Sequence, residues 1–146
     1  MSTSFKFFHD AALTQEITAD PLVNPLTASQ YTDGSLGAVD KLIYFGSAAT
    51  GMKAQLTADP GVGAIVVSIV DADGGTGAPD SEFKLALSSG GLATAVAGAA
   101  LTLSHTINSE VANAIPIYTR RASALTSAGS YTDLTLQTQD LTESPV

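Results

Sequence analysis

The chain lacks cysteine and tryptophan, and it is poor in positive charge. Its 146 residues contain six Lys and Arg against 14 Asp and Glu, which gives a formal net charge of −8. A strongly acidic protein repels a phosphate backbone and an anionic lipid surface, so we expect neither nucleic acid nor membrane as a direct partner. A chain of this length buries enough surface to fold without a disulfide or a metal.

Long hydrophobic runs are also missing. The longest uncharged stretch with apolar character, 92–103, is shorter than the roughly 20 residues of a membrane span. The first ten residues contain no apolar segment as long as that of a secretory signal, which favours synthesis in the cytoplasm. Because aromatic residues make up only 6% of the chain, the core must consist mainly of Ile, Leu and Val.

What the chain does contain is a regular series of short β-strand signals. Ile, Val and alternating apolar residues predict strands, in chain order, at 41–45, 53–57, 64–70, 82–88, 100–103, 114–119 and 133–138. Turn segments rich in Gly, Pro, Asn and Asp separate them, and helical periodicity never persists for three turns. This pattern predicts an all-β fold, an antiparallel β-sandwich of the immunoglobulin-like or jelly-roll-like kind.

The pattern changes near both termini. We interpret 1–39 as an extended N-terminal arm with edge strands, 40–139 as the sandwich core and 140–146 as a polar tail that frays. In an extended arm Phe5 and Phe7 share one face, and Lys6 and Phe8 share the other. We therefore predict that Phe5, Phe7 and Phe8 bind a partner, and that removing the first ten residues leaves the sandwich folded. The alternative is that the fold itself covers these rings.

Acidic residues cluster around one glycine-rich turn. Asp71, Asp73, Asp80 and Glu82 supply the hard oxygen ligands that calcium prefers, although the glutamate spacing of an EF-hand is missing. Asp is also a preferred turn residue because it binds its own backbone. We interpret the segment as a solvated turn, with calcium as the weaker alternative.

Motifs for catalysis are incomplete. The run from Gly46 to Lys53 approaches a phosphate-binding loop, but Met52 stands at the lysine position and no Ser or Thr follows Lys53. The two histidines, His9 and His105, have no sequence signal for a nucleophile and a carboxylate beside them. We therefore expect no enzyme activity and no cofactor.

Arg120 and Arg121 are the only adjacent basic residues. Neighbouring residues of a strand point to opposite faces, so the two side chains cannot form one anion site. We expect one to pair with an acidic neighbour and the other to contact a partner chain.

An ordered set of short motifs completes the sequence evidence. It consists of Tyr44-Phe45-Gly46-Ser47, Asp59-Pro60-Gly61-Val62, the run from Ile65 to Ala72, Lys84-Leu85-Ala86-Leu87, Gly91-Leu92, Gly98-Ala99-Ala100-Leu101, the run from Ala112 to Ile117, and Tyr131-Thr132-Asp133-Leu134. Over about 40–138 this set resembles a group of tailed-bacteriophage virion proteins with an immunoglobulin-like sandwich.

The resemblance implies a structural virion protein, most plausibly a capsid decoration (cement) protein. Its expected partners are the major capsid protein or another virion protein, and sister copies in a trimer or dimer, and its expected location is the virion. A tail or baseplate accessory protein is the nearest alternative. An extracellular carbohydrate-binding or adhesin module is the alternative from another class, and it would use the 71–80 turn.

Overall fold

Ten β-strands form the framework of the described part of the protein. The computed structural model describes residues 3–17, 39–71, 83–121 and 134–146. The strands are β1 (Lys6–Phe8), β2 (Val39–Gly46), β3 (Met52–Leu56), β4 (Val66–Asp71), β5 (Phe83–Ala86), β6 (Leu101–Thr102), β7 (Ile107–Asn108), β8 (Ile115–Arg121), β9 (Leu134–Gln137) and β10 (Leu141–Pro145). Short 3-10 turns lie at Gly90–Ala93 and Val111–Asn113. No helix within the described ranges is long and apolar enough to span a membrane.

Four strands form the first layer of the sandwich, in the order β1-β2-β8-β5. All three pairings are antiparallel. Side chains alternate between the two faces with the period of two that a strand imposes. The inner face therefore carries Ile43 and Phe45 of β2, Ile117 of β8, and Phe83 and Leu85 of β5, all of them buried.

The second layer contains two three-stranded sheets, β10-β3-β7 and β6-β4-β9. Strand β3 is the central strand of the first of these sheets, and β4 is the central strand of the second. The two strands follow each other along the chain. The chain carrying β6 and β7 pairs with them on one side, and the chain carrying β9 and β10 pairs with them on the other. The hydrogen bonds from Thr57 N to Asp140 O (3.0 Å) and from Ile65 N to Ser104 O (3.1 Å) extend these pairings into the gap. The two sheets thus form one interrupted layer.

The core lies between the two layers. Its buried cluster joins inward side chains of the first layer to those of the second, namely Ala54, Ile65, Val67, Ile69, Leu103, Ile107, Leu136 and Leu141. Because all pairs of described strands are antiparallel and the core consists mainly of aliphatic residues, the predicted all-β sandwich class is confirmed. All seven strands predicted in the central region occur, with ends shifted by one or two residues.

The two termini differ from the sequence interpretation. Residues 141–145 were expected in a frayed polar tail, but they form β10, which pairs with the whole of β3. Leu141 faces the core and is buried, and this burial explains why the segment is ordered. At the other terminus, β1 is an edge strand of the first layer, as the sequence predicts, but the segment is held to the fold because Phe5 and Ile17 belong to the core cluster.

The sandwich has two distinct ends. At the short-loop end, the connections 47–51 and 109–114 join neighbouring strands, and the described chain begins and ends there. At the long-loop end, Val39, Phe83 and Arg121 lie side by side in register, and Asp71 lies beside Leu134. The segments 72–82 and 122–133, which are outside the described residues, attach at this second end through both of their ends, and 18–38 attaches there through its junction with Val39.

Candidate functional site

The three N-terminal phenylalanines lie within the fold of their own chain. Phe5 is 4% exposed and Phe8 is 8% exposed, and Phe7 packs against the core. The ring centroid of Phe45 lies 4.9 Å from that of Phe7 and 6.3 Å from that of Phe5. The fold thus covers Phe5 and Phe8 itself, which is the alternative that the sequence left open. Contact of these rings with a partner stays a prediction, and it requires the segment to leave this position.

The outer edge of β1 is also occupied. His9 N donates to Gln15 O (2.9 Å) and Ile17 N donates to Phe7 O (2.8 Å), so the chain folds back beside the strand. Asp10 holds the intervening turn, because its carboxylate accepts the Thr14 and Gln15 backbone N–H groups at 2.9 to 3.2 Å. A strand from another chain could add here only by displacing residues 15–17.

Arg120 is the arginine that pairs with an acidic neighbour. Its Nε lies 2.7 Å from Asp40 Oδ1 and its Nη2 lies 3.0 Å from Asp40 Oδ2, a bidentate geometry. The guanidinium holds the pKa of the Asp40 carboxyl below its ordinary value. Arg121 is the last residue of β8, in register with Val39 and Phe83, and its side chain is outside the description. Its role with a partner stays a prediction.

The outer face of the first layer carries four rows of residues, read from the strand registers. From the short-loop end to the long-loop end these rows are Lys6 and Gly46; Phe8, Tyr44 and Pro116; Leu42, Tyr118 and Ala86; and Asp40, Arg120 and Lys84. Leu42, Tyr44 and Tyr118 are half-buried and Pro116 is exposed. The two middle rows therefore form an apolar and aromatic strip between two charged rows, and we call it the tyrosine strip. Alternation along β2 and β8 was the signal in the sequence that could have revealed it.

A polar cluster closes the short-loop end. Ser4 Oγ lies 2.5 Å from Ser47 Oγ, and the Ser4 hydroxyl and backbone N–H donate to Glu143 Oε1 at 2.6 and 2.7 Å. Ser47 is fully buried, and its Oγ accepts the Ala49 N–H at 3.1 Å. Because Ser4 precedes β1, Ser47 follows β2 and Glu143 belongs to β10, the cluster links the two layers. Ser4 lies 43 residues from Ser47 and 139 residues from Glu143 in the chain, so no local sequence pattern predicts the cluster.

Further hydrogen bonds continue from this cluster to the 109–114 connection. Glu110 N donates to Ser47 O at 2.7 Å. Buried Ser109 exchanges bonds with Met52, since its Oγ accepts the Met52 N–H at 2.9 Å and its own N–H donates to Met52 O at 2.8 Å. The Asn113 side chain donates to Ser109 O at 2.7 Å. Hydrogen bonds between these polar groups thus cross-link the short-loop end.

The chemistry of this cluster is hydrogen bonding between hydroxyls and one carboxylate. A serine nucleophile needs a base that is positioned to take its proton, most often an imidazole. His9 follows β1 beside Gln15, and His105 lies between β6 and β7 with its Nδ1 3.3 Å from Thr106 Oγ1. Partial burial and the nearby Lys41 lower the pKa of His9. Within the described residues, neither histidine takes part in the polar cluster.

The calcium candidates fall almost wholly outside the described part of the chain. Asp73, Asp80 and Glu82 lie in 72–82, and only the backbone of Asp71, at the end of β4, is described. Among the described residues no group of three or more His, Asp or Glu forms a metal site. The calcium alternative therefore stays untested.

Comparison with known proteins adds no assignment. No family model, curated protein or solved structure matches the chain.

Proposed function

We propose that this protein is a structural virion protein of a tailed bacteriophage, of the capsid decoration (cement) type, which binds the head lattice and stabilises it. The observation that carries the proposal is the asymmetry of the sandwich. One end is cross-linked by short connections and a polar cluster, whereas 72–82 and 122–133 both start and finish at the other end, where 18–38 also joins β2. Loops grouped at one end of a rigid β-sandwich are a common arrangement for binding.

The composition of those segments supports a role in contact. Together 18–38, 72–82 and 122–133 contain no Lys or Arg, and they contain six of the acidic residues, namely Asp20, Asp33, Asp73, Asp80, Glu82 and Asp133. We expect the long-loop end to bind basic surfaces of capsid subunits, because opposite charges steer and orient association. Many copies on one lattice would multiply modest single contacts through avidity.

The proposal has a direct test on particles. The full chain is mixed with phage heads that lack it, and the bound protein is measured by co-sedimentation and located by electron microscopy. Replacing 122–133 by a Gly-Ser linker of equal length is expected to reduce binding at least tenfold with an unchanged melting temperature. The matched control is Val62→Ser, a change at a 76% exposed residue of the 57–65 connection, which is expected to bind normally.

Three outcomes contradict the proposal. Full binding by the linker variant would exclude the long-loop end as the contact surface. Density on the tail or baseplate in place of the head would favour the accessory-protein alternative. A melting temperature that rises with calcium and falls with chelator, without binding to heads, would favour the carbohydrate-binding module.

A further inference from the structure

We propose that the tyrosine strip on the outer face of the first layer docks an extended acidic segment of a partner protein. The segment would have an apolar centre and acidic residues at both ends. This proposal does not depend on the virion role, because it concerns a different surface from the long-loop end.

The strip is bounded on both sides by the protein's own chain. On the β1 side, a Cβ added at Gly46 would lie 3.3 Å from Leu13 Cδ1, so the buried Leu13 covers the end of β2. On the β5 side, the Gly90–Ala93 turn covers Ala86, since a Cβ at Gly91 would lie 3.2 Å from Ala86 Cβ. Between these borders the outward residues of β2 and β8 remain accessible, which leaves a shallow groove along the strands.

The residues of the groove suit an apolar, extended chain. Tyr44 lies beside Pro116, and Leu42 lies beside Tyr118, in adjacent rows. Tyrosine supplies a large contact area with little conformational entropy to lose, and it keeps a hydroxyl for hydrogen bonding. Grooves lined by aromatic rings are a recurrent site for extended peptides, including proline-containing ones.

Charge at the two ends of the groove selects the occupant. The face and its borders carry Lys6, Lys84 and Arg120 against Asp10, Glu16 and Asp40, so they are neutral overall in a chain of net charge −8. Arg120 is paired with Asp40. Lys6 and Lys84, at opposite ends, have no ion pair within the described residues. An acidic segment offers these two lysines opposite charge, whereas a second copy would bring the same neutral face, so an acidic partner is favoured over self-association.

The spacing of the charged rows sets the length of the occupant. Six residues of β2 separate the row of Lys6 from the row of Lys84, roughly 20 Å along the strands, and the two lysines lie on opposite edge strands, about 14 Å apart across the sheet, so the diagonal between them is about 25 Å. An extended segment of about eight residues, running diagonally across β2 and β8, spans this distance. Its acidic ends would meet the lysines while its centre covers the tyrosines.

The test titrates the ¹⁵N-labelled full chain with a capped octapeptide, Asp-Asp-Leu-Pro-Leu-Leu-Asp-Asp, and follows amide shifts by NMR. We expect shifts centred on Leu42, Tyr44, Tyr118 and Lys84. Lys84→Glu is expected to weaken binding about fivefold or more, since it removes an attraction and adds a repulsion. The matched control is Lys53→Glu, which reverses a half-buried lysine on the second layer and should leave binding unchanged.

Four results would overturn the proposal. They are the absence of shifts at millimolar peptide, shifts centred on the second layer, equal binding of a peptide with Lys in place of Asp, and equal weakening by the Lys53 variant. Concentration-dependent shifts on the same face without peptide would identify a second copy as the occupant and exclude the acidic partner.

Discussion

Glu110 adopts backbone angles that only glycine tolerates well. Its φ of 78° and ψ of 147° lie beside a region that costs other residues about 1–3 kcal/mol. The residue is held there because its N–H donates to Ser47 O and its neighbour Ser109 is bonded to Met52. The strain is thus imposed by the cross-linking of the short-loop end.

Replacing this residue by glycine is expected to stabilise the protein. Glu110→Gly removes the Cβ that causes the strain, and the exposed side chain makes no hydrogen bond or ion pair with the described residues that would be lost. We expect the free energy of unfolding, measured by urea denaturation, to rise by about 1 kcal/mol. Glu110→Ala is the control, because it removes the carboxylate and keeps the Cβ. Equal stability of the two variants would contradict the strain argument.

Asp10 gives a prediction of pH dependence. The Thr14 hydroxyl, and then the Gln15 and Thr14 backbone N–H groups, lower the pKa of its carboxyl below the ordinary 3.8. A folded-state pKa below the unfolded value means that the stabilisation is present above about pH 3.8 and is lost as the pH falls through the folded value.

The direction of this pH dependence can be measured with one variant. The difference in urea midpoint between the parent chain and Asp10→Asn is expected to be constant from pH 7 to 5 and to shrink between pH 4 and 2. Thr14→Ala removes the largest cause of the shift, so the Asp10 pKa measured by NMR should rise in that variant. A midpoint difference that grows on acidification would refute the assignment.

At the scale of elements, β1 is an edge strand of the first layer whose flanking residues are buried, so we now expect its removal to destabilise the sandwich. Phe5→Ala deletes a ring that is packed against Phe45, and such truncations cost about 3–5 kcal/mol. Lys6→Ala, one residue along the same segment but exposed, should change the free energy of unfolding by less than about 0.5 kcal/mol. Chemical denaturation measures both. Similar small effects of Phe5→Ala and Lys6→Ala on the free energy of unfolding would support the interpretation of this segment as a detachable arm.

The edges of the first layer show how the chain protects itself from edge pairing. Residues 15–17 cover β1, and Gly98 N donates to Phe83 O at 2.7 Å beside β5. Exposed edges of sheets are templates for unwanted strand addition, so covering them limits aggregation. For this reason we place the proposed partner contact of the first layer on its outer face and not on its edges.

At the scale of the whole molecule, the Ser4–Glu143 contact ties the first layer to the second. A double-mutant cycle with Ser4→Ala, Glu143→Ala and the combined variant measures this link. We expect a coupling of about 1 kcal/mol, typical for a hydrogen bond to a partly exposed carboxylate. A matched pair across the surface, Thr57→Ala with Thr142→Ala, has a 2.8 Å hydroxyl contact and should couple more weakly. Additive effects of Ser4→Ala and Glu143→Ala would show that the bond between the Ser4 hydroxyl and Glu143 does not stabilise the contact between the layers.

The two proposals use different surfaces of the same rigid body. The long-loop end carries the segments proposed to bind the lattice, and the outer face of the first layer carries the tyrosine strip. Both surfaces are anchored on β2 and β8, whose seven-residue pairing is the longest in the described structure. Independent contacts on one rigid scaffold can be removed separately, so variants of one surface should leave the other active.

The central strands could be predicted from the sequence because local alternation and turn residues suffice for them. Ile43, Phe45, Ile117 and Leu136 are buried at the alternating positions that their strands predict. Strand β10 could not be predicted in this way, because Leu-Thr-Glu-Ser-Pro has little apolar content. Its order comes from pairing with β3, which lies about 90 residues earlier in the chain.

The same distinction between local and long-range contacts applies to the candidate surfaces. Composition and alternation by themselves determined the all-β class, the acidic charge and the strands whose apolar side chains form the core, since these properties depend on residues close in sequence. Only the tertiary structure decided that Phe5 and Phe8 are covered, that Ser4 meets Ser47 and Glu143, and that Tyr44 and Tyr118 form one strip. Those contacts join residues far apart in the chain, and strand order and register, which a single sequence does not encode locally, bring them together.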